Sequence, residues 1–191
     1  VVNVSSSTPN GRYTENDTIM ITIEFDENAI VKKSIDLINV PFIELQTKTG
    51  NPPNQTKAFY NDGSGSELLK FIYIISNDDN SQDLSYTNKD ALSENGGNIQ
   101  DIVGNVANRT LPDPGSQGSL SANKDIVIDN IGPSITSVSS STEDGAYNAG
   151  EIIVITVSLN ENTIVTGSPH ITLETGATDG IGVYSSGSGG K

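Results

Sequence analysis

The 191-residue sequence has no cysteine and no tryptophan, and it holds a single histidine, His170, and a single methionine. Missing thiols exclude disulfide scaffolds, thiolate metal sites and a cysteine nucleophile. One imidazole leaves almost no room for triad chemistry or a histidine-ligated zinc. Basic residues are scarce too: 10 Lys and Arg stand against 24 Asp and Glu, a formal net charge of −14. Nucleic acid is gripped by clustered Lys and Arg, so it is excluded as a partner, and anionic membrane surfaces are disfavoured on the same ground. No apolar run approaches the roughly 20 residues that span a bilayer, so no membrane insertion is expected of this segment. Neither a signal-like stretch nor an initiator Met stands at Val1, which reads as a piece of a longer or processed protein. The composition is that of a soluble, acidic protein and not of an enzyme.

What is present is an internal repeat. Shifted by 134 positions, Val4–Val31 falls on Val138–Val165 with 14 identities in 28 ungapped positions. After a gap the match resumes. Pro41, Leu45 and Gly50 fall on Pro169, Leu173 and Gly176, and Tyr60-Asn-Asp-Gly-Ser-Gly falls on Tyr184-Ser-Ser-Gly-Ser-Gly. Residues after Ser66, up to Ile128, have no counterpart in the second copy. The expected organisation is a complete module over 1–130, a short linker at 131–133, and the N-terminal part of a second module over 134–191, as in a segment of a tandem array. Pro133 and the shortness of the linker argue against free swinging of the modules.

Within a module the periodicity is two. Ile19, Ile21, Ile23 and Phe25 alternate with polar or smaller neighbours, Ile153, Ile155, Val157 and Leu159 repeat the pattern, and Leu69, Phe71, Tyr73 and Ile75 form a third such face. Alternation of this kind marks half-buried strands. Asn10-Gly11, Asp62-Gly63, Asn95-Gly96 and Asp144-Gly145 supply turn signals between the runs. No long stretch has helical spacing, although Asn88–Ser93 has room for one helical turn. The pattern implies an all-β fold, with antiparallel β-sandwich modules in tandem, the second incomplete.

These residues resemble the immunoglobulin-like repeats that form long tandem arrays in very large microbial cell-surface proteins, including adhesins. The resemblance runs from Tyr13 through the first strands, Asn77-Asp-Asp-Asn-Ser-Gln-Asp-Leu-Ser-Tyr86, Leu92–Asp101, Gly104-Asn-Val-Ala107, Leu111–Gly115 and Asn123–Asp129. It implies an immunoglobulin-like fold and extracellular display, with neighbouring modules of the same protein as the first partners. Like chains in an array, or a glycan on a neighbouring or host cell, are further expected partners. Lys32–Asp36 and the Asn51-Pro-Pro-Asn54 insertion depart from the second copy and read as ordinary loop variation.

The acidic residues are where chemistry is expected. With an immunoglobulin-like strand order, the Pro9–Asn16 loop, the Ser76–Asp83 loop and Asp129 share one end of the module. Asn160-Glu161-Asn162 would face them from the next. Glu15, Asp78, Asp79, Asp129 and Glu161 are therefore candidate ligands of a junction Ca²⁺, a cation that takes six to eight oxygens. The alternative is a solvated Asn77-Asp-Asp-Asn80 turn among dispersed surface charge. Asp26-Glu27-Asn28 would serve the equivalent site at the other end.

Asp101 reads as the cap of its own turn, Tyr13 and Tyr147 as packing residues, and His170 as a partly buried or edge position. The sequons at Asn3, Asn16, Asn54 and Asn108 are no more frequent than composition alone would give. The leading expectation is a structural extension module of an adhesin stalk or surface layer, its junctions stiffened by calcium. Its rival is a ligand-binding domain that uses the Lys48–Ala58 loop and Tyr60.

Overall fold

The computed structural model describes residues 1–32, 39–48 and 56–191. The chain divides into two compact units, Val1–Asn130 and Ile131–Lys191. In the first unit the strands are β1 (Asn3–Ser6), β2 (Gly11–Tyr13), β3 (Thr18–Lys32), β4 (Phe42–Leu45), β5 (Thr56–Asp62), β6 (Ser66–Ile74), β7 (Leu92–Ser93), β8 (Asn98–Gln100) and β9 (Ile126–Ile128). A single helical turn, α1 (Leu120–Asn123), precedes β9. The protein is all-β.

The main sheet runs β1-β3-β6-β5-β4-β7. Its centre is the β3–β6 pair, antiparallel with Ile19 opposite Tyr73, Ile21 opposite Phe71 and Ile23 opposite Leu69. All six of these side chains are at 0% exposure, so the period-two reading of both runs holds in space. Burying each aliphatic or aromatic side chain of this size stabilises the fold by about 1.5–3 kcal/mol. A bulge between Glu24 and Ala29 then bends β3, so that its last residues leave β6 and pair with β8. That bend curls the sheet around the core. Leu84, Tyr86, Leu111, Leu120, Ile126 and Ile128 close the core from the other side.

Two features differ from the expectation. Among the described residues the strands pair antiparallel except for one pair: β2 and β9 run parallel, with Arg12 opposite Val127. The helical turn sits at α1, where the Ser119 hydroxyl accepts from the Ala122 amide, and not at Asn88–Ser93. There the Asn88 side chain instead accepts the Asp90 amide in a local turn, and Leu92–Ser93 pairs with β4 as β7.

The second unit comprises β10 (Ile135–Ser140) paired with β11 (Ile155–Leu159), and β12 (His170–Leu173) paired with β13 (Gly180–Val183). Its register repeats the first unit. Val138 faces Val157 as Val4 faces Ile23, and His170 faces Val183 as Phe42 faces Phe59. Loop hydrogen bonds repeat as well: Tyr13 and Tyr147 both donate to the carbonyl four residues earlier, and Ser64 and Ser188 both donate their amides to a tyrosine phenol. None of residues 131–191 is buried.

Candidate functional site

The loop cluster at one end of the first unit is organised by Asn130. Its Oδ1 accepts the Thr14 hydroxyl at 2.8 Å and the Glu15 amide at 2.7 Å. Its Nδ2 donates to the Ser76 carbonyl at 3.0 Å and the Asp79 carbonyl at 2.8 Å. One carboxamide thus ties the loop after β2, the loop after β6 and the end of β9. An amide side chain suits this position because it donates and accepts at once.

Asp79 lies beneath, at 0% exposure. Its Oδ1 accepts the hydroxyls of Thr47 at 2.8 Å and Thr56 at 2.5 Å. Its Oδ2 accepts the Tyr73 phenol at 2.9 Å and the Ser76 amide at 2.9 Å. Four donors satisfy a carboxylate taken out of water, which would otherwise be strongly destabilising. Burial, and then the nearby Asp79 charge, push the Tyr73 phenol well above its ordinary pKa, so it stays protonated and donating. Thr47 follows β4 and Thr56 opens β5, so Asp79 ties the end of one strand to the start of the next.

The remaining candidate ligands have separate surroundings. Asp78 is exposed and pairs with Lys48 Nζ at 2.8 Å. The Lys48 hydrogen bond holds the Asp78 carboxyl below its usual range, and the same bond raises the Lys48 ammonium. Asp129 pairs with Arg12 Nη1 at 2.8 Å. The Glu15 side chain is exposed, and only its amide is engaged by Asn130. Glu161, in the second unit, is half-buried, and its carbonyl accepts the Thr163 hydroxyl. Among the described residues, no group of three or more His, Cys, Asp or Glu side chains is gathered so as to hold a metal ion.

No family model, no curated protein and no solved structure matches the chain.

Other singled-out residues are placed as follows. Asp101 Oδ1 accepts the amides of Val103, Gly104 and Asn105, which makes it the cap of its own turn. The Asn105 amide leads the contributions that hold its carboxyl below the ordinary range. Asp26, Glu27 and Asn28 line a small cleft with Gln100, Asp101 and Asn105. His170 opens β12 and is exposed. The Lys33–Asp36 stretch and the Asn51–Asn54 insertion lie outside the described residues, as does the sequon at Asn54. Among the described residues, no helix is long and apolar enough to cross a membrane.

Sequence reasoning found the loops but missed Asn130, Thr47, Thr56 and the hydroxyl of Tyr73. Asn130 carries no local signal, because its partners lie 51 to 116 residues away in sequence. Tyr73 was legible as a core position but not as the donor to a buried charge.

Proposed function

We propose that this chain is a structural extension segment of an extracellular cell-surface protein, built of immunoglobulin-like β-sandwich modules whose task is mechanical. One observation supports the reading most directly. β2, near the start of the first unit, runs parallel to β9, at its end. Once β1 is drawn off β3, tension along the polypeptide draws β2 by its N-terminal end and β9 by its C-terminal end, which slides the two strands past one another. Every hydrogen bond of the pair is then loaded together instead of one after another.

Contacts beside the pair add to the clamp. The Gly11 amide donates to the Asp125 carbonyl and the Asp129 amide donates to the Tyr13 carbonyl, each at 3.0 Å. Arg12 and Asp129 pair across it, and Asn130 fastens its end. Stretching of single molecules tests this reading.

Calcium uptake by the exposed or half-exposed carboxylates Glu15, Asp78 and Asp129 belongs to the same proposal. Asp79 has no part in it, because a cation at Asp79 would have to displace donors that already satisfy both oxygens.

A second reading has one observation of its own. Phe59 is 44% exposed, its ring lies edge-on to Phe42 at 6.2 Å, and the Lys57 ammonium sits 4.0 Å from the Phe42 ring centre. Such an aromatic and cationic patch would suit a glycan or receptor contact. A glycan array probed with the full chain separates the two.

A further inference from the structure

We propose that the second unit carries a strand-acceptor site between β11 and β13, shaped for a segment patterned like residues 66–130 of the first unit. In the first unit β6 lies between β3 and β5 and pairs with both. The counterparts of β3 and β5 are β11 and β13. Among the described residues each is paired on its other edge only, to β10 and β12, and the two sheets are separate. The unpaired edges are thus the pair that β6 bridges in the first unit.

The surroundings of the site are in place. Thr163 pairs with Gly190 as Ala29 pairs with Ser66, and the Val165 amide donates to the Ser188 hydroxyl as that of Val31 donates to Ser64. The apolar side chains are also set out but uncovered. Ile153 is 52% exposed where its counterpart Ile19 is at 0%, Val138 is 54% exposed against 0% for Val4, and Val157 is 38% exposed against 0% for Ile23. Open edges beside exposed apolar faces are what an added strand satisfies.

The register states what the strand must carry. Phe71 faces Ile21 on one side and Tyr60 on the other. The corresponding residue would lie between Ile155 and Tyr184, which calls for an aromatic or large aliphatic side chain. Residues two positions before and after it would point to the same face and must also be apolar. The position of Lys70 needs no cation: its partner Asp62, 3.7 Å away, has Ser186 as counterpart. After the strand, the segment must bring apolar residues corresponding to Leu84, Tyr86 and Ile126, which cover the sheet in the first unit.

The site is independent of the mechanical reading and can fail or hold without it. The test compares the full chain with the same chain carrying a copy of residues 67–130 after Gly190. Amide hydrogen exchange is followed at Ile155–Leu159 and Gly180–Val183. Exchange there is expected to slow at least tenfold in the extended chain. A version whose added copy of Phe71 is changed to Asn should lose that protection, while β3 and β6 of the first unit stay protected in all three. Equal exchange with and without the extension would overturn the proposal. So would slow exchange at these amides in the unextended chain, whether monomeric or self-associated.

Discussion

The phenol of Tyr73 donates to the carboxylate of Asp79 across 2.9 Å, with both side chains at 0% exposure. The carboxylate sits among donors drawn from two strands, β5 (Thr56) and β6 (Tyr73), and from Thr47 and Ser76, which follow β4 and β6, so it fixes those chain ends on the sheet. Tyr73→Phe removes one donor and leaves the others, and should lower stability by about 1.5–2 kcal/mol, since the acceptor is a carboxylate. Asp79→Ala strands four donors at a buried site and should cost about 3 kcal/mol. Urea unfolding checks both. The midpoint should fall in that order with the slope unchanged, because the surface exposed on unfolding stays the same.

Asn130 supplies a different test, because its two ends do opposite work. Asn130→Ala should cost about 1–2 kcal/mol through four lost hydrogen bonds at a half-buried site. Asn130→Asp keeps the acceptors for Thr14 and Glu15 but turns a carboxylate oxygen toward the Ser76 and Asp79 carbonyls, so it should cost more than Ala despite being nearly isosteric. Thermal unfolding of the two variants side by side decides this. The amide of Glu15 should exchange faster in Asn130→Ala.

The β5–β6 turn depends on Gly63 for two reasons. Its φ is +103°, and a Cβ there would stand 2.1 Å from the Leu68 carbonyl oxygen. Gly65, two residues on, has φ +88° but open space around it. Gly65→Ala should therefore cost about 1 kcal/mol, from the left-handed conformation alone. Gly63→Ala should cost clearly more, since the backbone must also shift. Denaturation midpoints of the two variants measure the difference.

Removal of divalent cations tests the role given to the exposed carboxylates. The first unit should melt several degrees higher in millimolar Ca²⁺ than in chelator, with Mg²⁺ giving a smaller rise, since ligands that bind the folded state raise its melting temperature. Asp78→Asn combined with Glu15→Gln should reduce the rise. An identical melting temperature in all three conditions would leave these carboxylates as surface charge.

The core faces were legible because a strand buries every second residue, and Ile19, Ile21, Ile23, Leu69, Phe71 and Tyr73 mark that period in the sequence itself. The turns were legible where Gly supplies a positive φ, as at Gly63 and Gly96. Parallel pairing of β2 with β9 was not. Three residues give too short a period, and whether strands run parallel or antiparallel depends on the path of the chain and not on the side chains of either strand. The helical turn α1 was hidden for a similar reason, since one turn offers a cap at Ser119 but no repeat. Among the candidate ligands the same limit applies. Sequence shows that Asp78 and Asp79 are neighbours, but only the fold turns Asp78 to solvent and Lys48, and Asp79 inward to Tyr73 and the two threonines.

The clamp between β2 and β9 is the centre of the mechanical reading, and stretching the full chain by its two ends tests it most directly. The first unit should give way in one main step, releasing about 47 nm of contour length for its 130 residues at roughly 3.6 Å each. Asp129→Pro removes the amide that bonds Tyr13 and the carboxylate that pairs with Arg12, so it should lower the force of that step. Lys70→Ala breaks an ion pair away from the clamp and should leave the force unchanged. Gradual lengthening without a distinct step, or an equal force in Asp129→Pro and the unaltered chain, would contradict the account.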